Sequence, residues 1–225
     1  VAYPVILHDN ILRVTGVTIT ASSTESGYAA ADLADLRPWK MWKSGTVVTG
    51  ITIDIDTGAG GDNADTLGLI NHNITSEGGT IEVKADGSNP PTTVRLAAYT
   101  PTYGDVELKT FTAPGAVRYW RITLAKGGNF ANKPFIGELI LGMRTTLPEY
   151  LDPGTDPFMR QTEAAVEMSE GGHVLGAVLR GQTHRMDLAT SSVGMARSFW
   201  TSDLKAFDQN HLLRMRPFIF QIDGD

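Results

Sequence analysis

The sequence predicts a mainly β protein: an N-terminal jelly-roll β-sandwich over residues 1–147, then a smaller C-terminal β domain with one helix over residues 148–225. Three observations predict it. Apolar and polar residues alternate at period two in run after run of the first 145 residues. Clusters of Gly, Pro, Asn and Asp punctuate those runs. Helical spacing of apolar residues is sustained only around 193–211.

In chain order, Leu12, Val14, Val17 and Ile19 read as an early strand bulged at Gly16. Tyr28 to Leu36 reads as a helical turn or an ordered loop. Ile51, Ile53 and Ile55 alternate with Thr52, Asp54 and Asp56, the pattern of a half-buried strand. Ile81 and Val83 alternate with Glu82 and Lys84, and Val106 and Leu108 with Glu107 and Lys109. Trp120, Ile122 and Leu124 alternate with Arg121 and Thr123, and Phe135, Leu139 and Leu141 oppose Glu138. Pro148 and Leu151 to Pro157 form the expected linker. Thr162, Ala164, Val166 and Met168 then face away from Glu163 and Glu167, and a Gly171-Gly172 turn returns the chain through Val174 to Leu179 as a hairpin. His184 to Leu188 reads as another strand. In the helix, Ala196, Phe199, Trp200, Leu204 and Phe207 share a face, with Ser191 or Ser192 as the N-cap. Pro217 ends it, and Phe218, Phe220 and Ile222 read as a last strand.

Composition narrows the function classes. The chain has 225 residues, 41% of them hydrophobic, enough for a sizeable core, and a net charge of -6. Arg214 and Arg216 stand apart and Lys40 and Lys43 flank tryptophans, so no basic face for nucleic acid is expected. No cysteine is present, which removes disulfides and thiolate metal sites. Val1-Ala2-Tyr3-Pro4 has no basic run leading into an apolar stretch, so no signal peptide is read. The apolar runs are too short for a membrane span.

The motifs with chemical potential have simpler readings. Gly58, Gly60 and Gly61 follow a strand, but the strand-like Leu67, Leu69 and Ile70 come next, where a phosphate loop needs a helix N-terminus. Asp54, Asp56, Asp62, Asn63 and Asp65 suggest a calcium loop, but Ala59 stands where an EF-hand needs glycine and Asp65 where it needs glutamate. A solvated strand face with a polar turn is favoured; no cofactor is expected, with calcium as the only one kept open. His8, His72, His173, His184 and His211 form no zinc-binding spacing. No nucleophile elbow occurs, so no catalysis is expected. Trp42 reads as core, while Trp39 reads equally as core or as an exposed sugar-stacking ring.

The order of these pieces resembles the galactose-binding-like (discoidin, coagulation-factor C-type) family. Tyr28 to Leu36 leading into Trp42-Lys43-Ser44 resembles its opening motif, and Ile51 to Asp56 its strand before a glycine turn. Leu67 to Asn73, Ile81 to Ser88, Arg118 to Ile122 and Ile136 to Leu139 resemble its later strands. The likeness covers about residues 11 to 144; an alanine-rich opening loop and an insertion over Asn89 to Gly104 depart from it. It implies a binding scaffold, and a glycan site, where kept, on the loops carrying Asp32, Trp39, His72 and Asn73. Tyr119 to Ile122 with Ile136 to Gly142, and the C-terminal hairpin, helix and strand, are also similar to modules of tailed-bacteriophage tail and tail-tip proteins.

The leading expectation is therefore a virion structural protein of a phage tail, tail tip or baseplate, made in the host cytoplasm. Its expected partners are other tail proteins, further copies of itself and a cell-surface glycan, without nucleic acid or membrane insertion. The assembly interface is expected at Phe199, Trp200, Phe207, Phe218 and Phe220, with packing of these rings inside the chain as the alternative. The rival function is a carbohydrate-binding module working with a polysaccharide-active enzyme.

Overall fold

The computed structural model describes residues 3–148, 159–168, 170, 174–185, 199, 201, 204–209 and 218–221. Within them the protein is mainly β and wholly antiparallel in its strand pairing. The strands are β1 (Val5–Leu7), β2 (Thr18–Ala21), β3 (Trp42–Lys43), β4 (Gly50–Asp56), β5 (Thr66–His72), β6 (Thr80–Asp86) and β7 (Val94–Tyr99). They continue as β8 (Val106–Thr110), β9 (Tyr119–Ala125), β10 (Phe135–Gly142), β11 (Thr145–Thr146), β12 (Met159–Met168), β13 (Val174–Arg185) and β14 (Ile219–Gln221).

A five-stranded sheet, β2-β4-β9-β6-β7, faces a four-stranded sheet, β3-β10-β5-β8. The alternation of Ile51, Ile53 and Ile55 turns one side of β4 inward, in register with Trp120, Ile122 and Leu124 of β9. From the other sheet, Leu67, Leu69, Leu139 and Leu141 meet them, and Trp42 is fully shielded. Each such side chain contributes about 1.5–3 kcal/mol by leaving water, so this core is the main source of stability.

A third layer covers the outer face of the four-stranded sheet. The last described strand, β14, pairs with β1 from the other end of the chain, and β11 pairs on β1's other side. Leu7 and Ile219 from this layer pack on Ile140, Ile70 and Leu108. Gly68 makes the close approach possible: a Cβ there would lie 2.6 Å from Ile219 Cδ1 and 2.9 Å from Leu7 Cδ2. The layer's opposite face carries Ile6 and Leu147 against Leu204 and Phe207 of a helical segment that includes Lys205–Phe207. Phe207 meets Phe218 edge-on at 4.8 Å, and Phe199, Phe218 and Phe220 pack half-buried around the cluster. The described rings of the expected interface thus pack in one cluster with Ile6, Leu147 and Leu204; Trp200 lies outside the described residues, as do most of 193–211 and the linker after Pro148.

Several local expectations change. The early strand shortens to β2: Ile11–Arg13 form a 3-10 turn capped by Asn10, and Gly16 has a φ of 93°. The Asn10 side chain bonds Leu139 O at 2.8 Å and Leu141 N at 3.2 Å, so it stands in for a strand neighbour that β3 is too short to supply. The supposed insertion over Asn89 to Gly104 contains β7, an edge strand whose register against β6 shifts twice, which blurs its alternation. The phase of β8 is inverted: Glu107 is buried on the inner side and Val106 is exposed. The expected hairpin is present as β12 and β13, which pair over most of their length and with no other strand among the described residues. Its Gly171-Gly172 turn and residues 186–188 lie outside the described residues.

Candidate functional site

The strand register gathers five connections at one end of the sandwich. Gly50 and Thr80 both pair with Ala125, His72 with Ile136, and Lys43 with Phe135. The segments 22–41, 44–49, 73–79, 100–105 and 126–134 leave from that end.

The most exposed large hydrophobic residue there is Trp39, at 74% exposure. Its loop is held from below at several points. Leu36, at a φ of 67°, donates its backbone N–H to Glu138 Oε2 at 3.0 Å. The Asn71 side-chain amide donates to Pro38 O at 2.8 Å. Gly137 lies so close under Pro38 O that any Cβ would overlap it. Lys40 donates its N–H to Arg37 O at 2.7 Å and its ammonium pairs with Asp32. The indole therefore stands in solvent on a backbone with little freedom. Beside it, Arg37 bonds Asp35 through Nε and Nη2, at 3.1 and 2.8 Å, and leaves further guanidinium donors for a ligand.

The other three expected glycan contacts serve the scaffold in this structure. Asp32 is 5% exposed and accepts from Ala29 N at 3.1 Å as well as from Lys40. Asn73 bonds Lys133 O at 3.1 Å and Phe135 N at 2.9 Å, tying β5 to the loop before β10. His72 is also buried, and neither ring nitrogen has a well-formed hydrogen bond. Burial pushes its imidazole below the ordinary value, opposed by Glu107, the Tyr103 backbone and Asp105. Asp32 reaches Trp39's loop through Lys40, and β5 reaches it through Asn71; only Trp39 of the four presents a largely exposed side chain.

A groove of about 560 Å³ opens among the same loops, lined by Tyr28, Met41, Lys43, Asn73, Asn132 and Lys133, among others. Lys43 lies 5.4 Å above the Tyr28 ring. Glu25 bridges Lys43 at 3.0 Å and Lys133 at 2.7 Å, and Lys133, then Lys43, hold its carboxyl below the usual range.

Three buried carboxylates fix these loops, and sequence reasoning missed all of them. Glu138 holds Leu36. Glu77 accepts from Ala131 N at 2.7 Å, Asn132 N at 3.1 Å and the Asn132 amide at 2.7 Å. Glu107 accepts from Thr102 N at 3.1 Å and Tyr103 N at 3.2 Å. Glu107 and Glu138 stand in alternating strands and Glu77 in a polar turn, where a glutamate reads as solvent-facing. Three of the four acidic residues of the calcium reading are engaged elsewhere: Asp54 with Arg121, Asp56 with Arg118, and Asp65 with Thr66 and Arg144. Among the described residues, no group of three or more acidic, His or Cys side chains converges on a metal position.

No protein-family model matches the chain, and no curated protein matches it by sequence. Among solved structures it is similar to chitosan-binding module 1 of a chitosanase/glucanase from Paenibacillus sp. IK-5, at 22% identity and a TM-score of 0.48, over 60% of this chain and 98% of that one. It is similar to the CBM32 of AlyQ in complex with 4,5-unsaturated mannuronic acid, at 19% identity and a TM-score of 0.45, over 60% and 96%. It is also similar to a Ruminococcus gnavus GH29 fucosidase in complex with fucose, at 17% identity and a TM-score of 0.48, over 61% of this chain. The chain spans 27% of the fucosidase's length.

Proposed function

We propose that the chain is a non-catalytic carbohydrate-binding module on a galactose-binding-like sandwich, and that its loop end holds a sugar against Trp39. One observation carries this reading: a tryptophan 74% exposed on a loop pinned by Glu138, Asn71 and Asp32. Exposing an indole forfeits the large stabilisation it would gain by burial. Fixing its backbone as well leaves a flat apolar face ready for the C–H face of a pyranose ring, with Arg37, Asp35 and Lys40 beside it for the hydroxyls. A glycan array and calorimetry on the folded protein test it. Wild type binds at least one glycan, and Trp39→Ala weakens that binding about tenfold, the cost of losing a central aromatic contact. Equal binding by both proteins, or none by either, refutes it.

This order reverses the sequence-based preference for a phage-tail component. Assembly remains the second reading, and one observation favours it. The β12–β13 ribbon pairs with no other strand among the described residues, and an isolated two-stranded ribbon is marginally stable in water.

A further inference from the structure

A second exposed ring stands at the same end of the sandwich. Tyr103 is 67% exposed, and its loop is built as Trp39's is. A buried glutamate, Glu107, 4% exposed, accepts the backbone N–H groups of Thr102 and Tyr103. Thr75 Oγ1 donates to Tyr103 O at 3.0 Å from the facing loop. Backbone bonds place this loop beside β5: His72 N donates to Gly104 O at 2.8 Å and Asn71 N to Asp105 O at 2.7 Å.

Asn71 therefore joins the two platforms. Its backbone holds the loop after Tyr103 and its side chain holds Pro38, next to Trp39. β5 lies between β10 and β8, so the two anchoring strands are separated by two inter-strand steps, about 10 Å. Tyr103 also lines a groove of about 260 Å³ between the edge strands β8 and β14, to which Thr102, Lys109 and Gln221 contribute polar groups.

We infer that Tyr103 and this groove form a second sugar subsite, so that the module takes an oligosaccharide laid across β5 from Trp39 to Tyr103 rather than a single terminal sugar. The inference rests on the reading of Trp39 as a stacking platform. A monosaccharide covers one ring. A linked chain long enough to cross β5 reaches the second, and its extra hydroxyls meet Lys109, Thr102 and Gln221.

The test is binding against chain length. The probes are monomer-to-oligomer series of β-linked glucose, galactose, N-acetylglucosamine and uronic acid, titrated calorimetrically into the wild type, Trp39→Ala and Tyr103→Ala. Wild-type affinity rises about tenfold or more once the oligomer spans both rings. Tyr103→Ala keeps monosaccharide affinity and removes that rise, whereas Trp39→Ala weakens every length. Tyr103→Phe, which keeps the ring, retains the rise. A wild-type affinity independent of length, or a rise that survives Tyr103→Ala, overturns the second subsite while the Trp39 reading stands. Failure of the wild type to bind any series overturns both. Matching circular dichroism and melting of the variants keeps misfolding from imitating a lost contact.

Discussion

Glu138 makes stability depend on pH in a way that identifies the carboxyl responsible. It is fully shielded from solvent; Oε2 accepts from Leu36 N, while Oε1 has no partner. Burial, opposed chiefly by the Leu36 N–H, pushes its carboxyl from 4.5 up to about 7. Between those values the folded protein binds a proton that the unfolded chain does not. Stability from this group is therefore complete below about pH 4.5 and is lost as pH rises through about 7. At ~1.4 kcal/mol per tenfold change in proton affinity, the full change is about 3 kcal/mol. His8 and His72, both pushed below their ordinary values by burial, oppose this trend. They act alike in the wild type and in Glu138→Gln, whose amide oxygen still accepts from Leu36, so comparing the two proteins isolates Glu138. Urea unfolding of both from about pH 4 to about pH 8 measures it. The variant's stability relative to wild type rises across that range by about 3 kcal/mol. A difference that stays constant with pH refutes the reasoning.

Two further outcomes are expected. Gly137→Ala drives a methyl group into the Pro38 carbonyl, costing about 1–3 kcal/mol by melting and displacing the Trp39 loop, so glycan binding falls along with it; unchanged melting and binding contradict the anchoring role. If the β12–β13 ribbon is completed by neighbouring copies, light scattering gives a mass that is a multiple of 24.3 kDa, and a strictly monomeric protein at high concentration removes the assembly reading.

Much of the sandwich was legible because its central strands obey one rule. In β4 and β9, Ile51, Ile53, Ile55, Ile122 and Leu124 face a single core, so period two fixes both strand and phase. The rule inverts in β8, and in β10 it fixes the inner face of Leu139 and Leu141 without showing that the outer face is also buried, because the four-stranded sheet is covered on both faces. There the outer positions also carry apolar residues, Leu108 and Ile140, and alternation no longer says which side is core. Alternation alone therefore gives no sign that Glu107 and Glu138 are buried. The third layer that hides the outer face comes from β1, too short at three residues to show periodicity, and from β14, whose alternation reads as a last strand without showing that it pairs with β1.

The candidate site was legible in a different proportion. A tryptophan three residues before the core Trp42 was visible in the sequence, but whether it was core or surface depended on Leu36's left-handed backbone and on Gly137 beneath Pro38. Tyr103, in a stretch that read as an insertion, gave no signal because its partner Glu107 stood in an inverted phase. Glu77, Glu107 and Glu138 each lie almost fully buried, and each accepts backbone N–H groups from a loop at the sandwich end. Burying a carboxylate is costly unless hydrogen bonds compensate it, and loop backbone N–H groups need acceptors once strand pairing ends. Glu77 and Glu107 meet both needs at once, whereas Glu138 accepts from Leu36 with one oxygen and leaves the other without a partner, which is why burial raises its carboxyl. Removing Glu138 or Glu107 therefore frees the loop that carries Trp39 or Tyr103, and removing Glu77 frees the segment at Ala131 and Asn132, rather than a single contact.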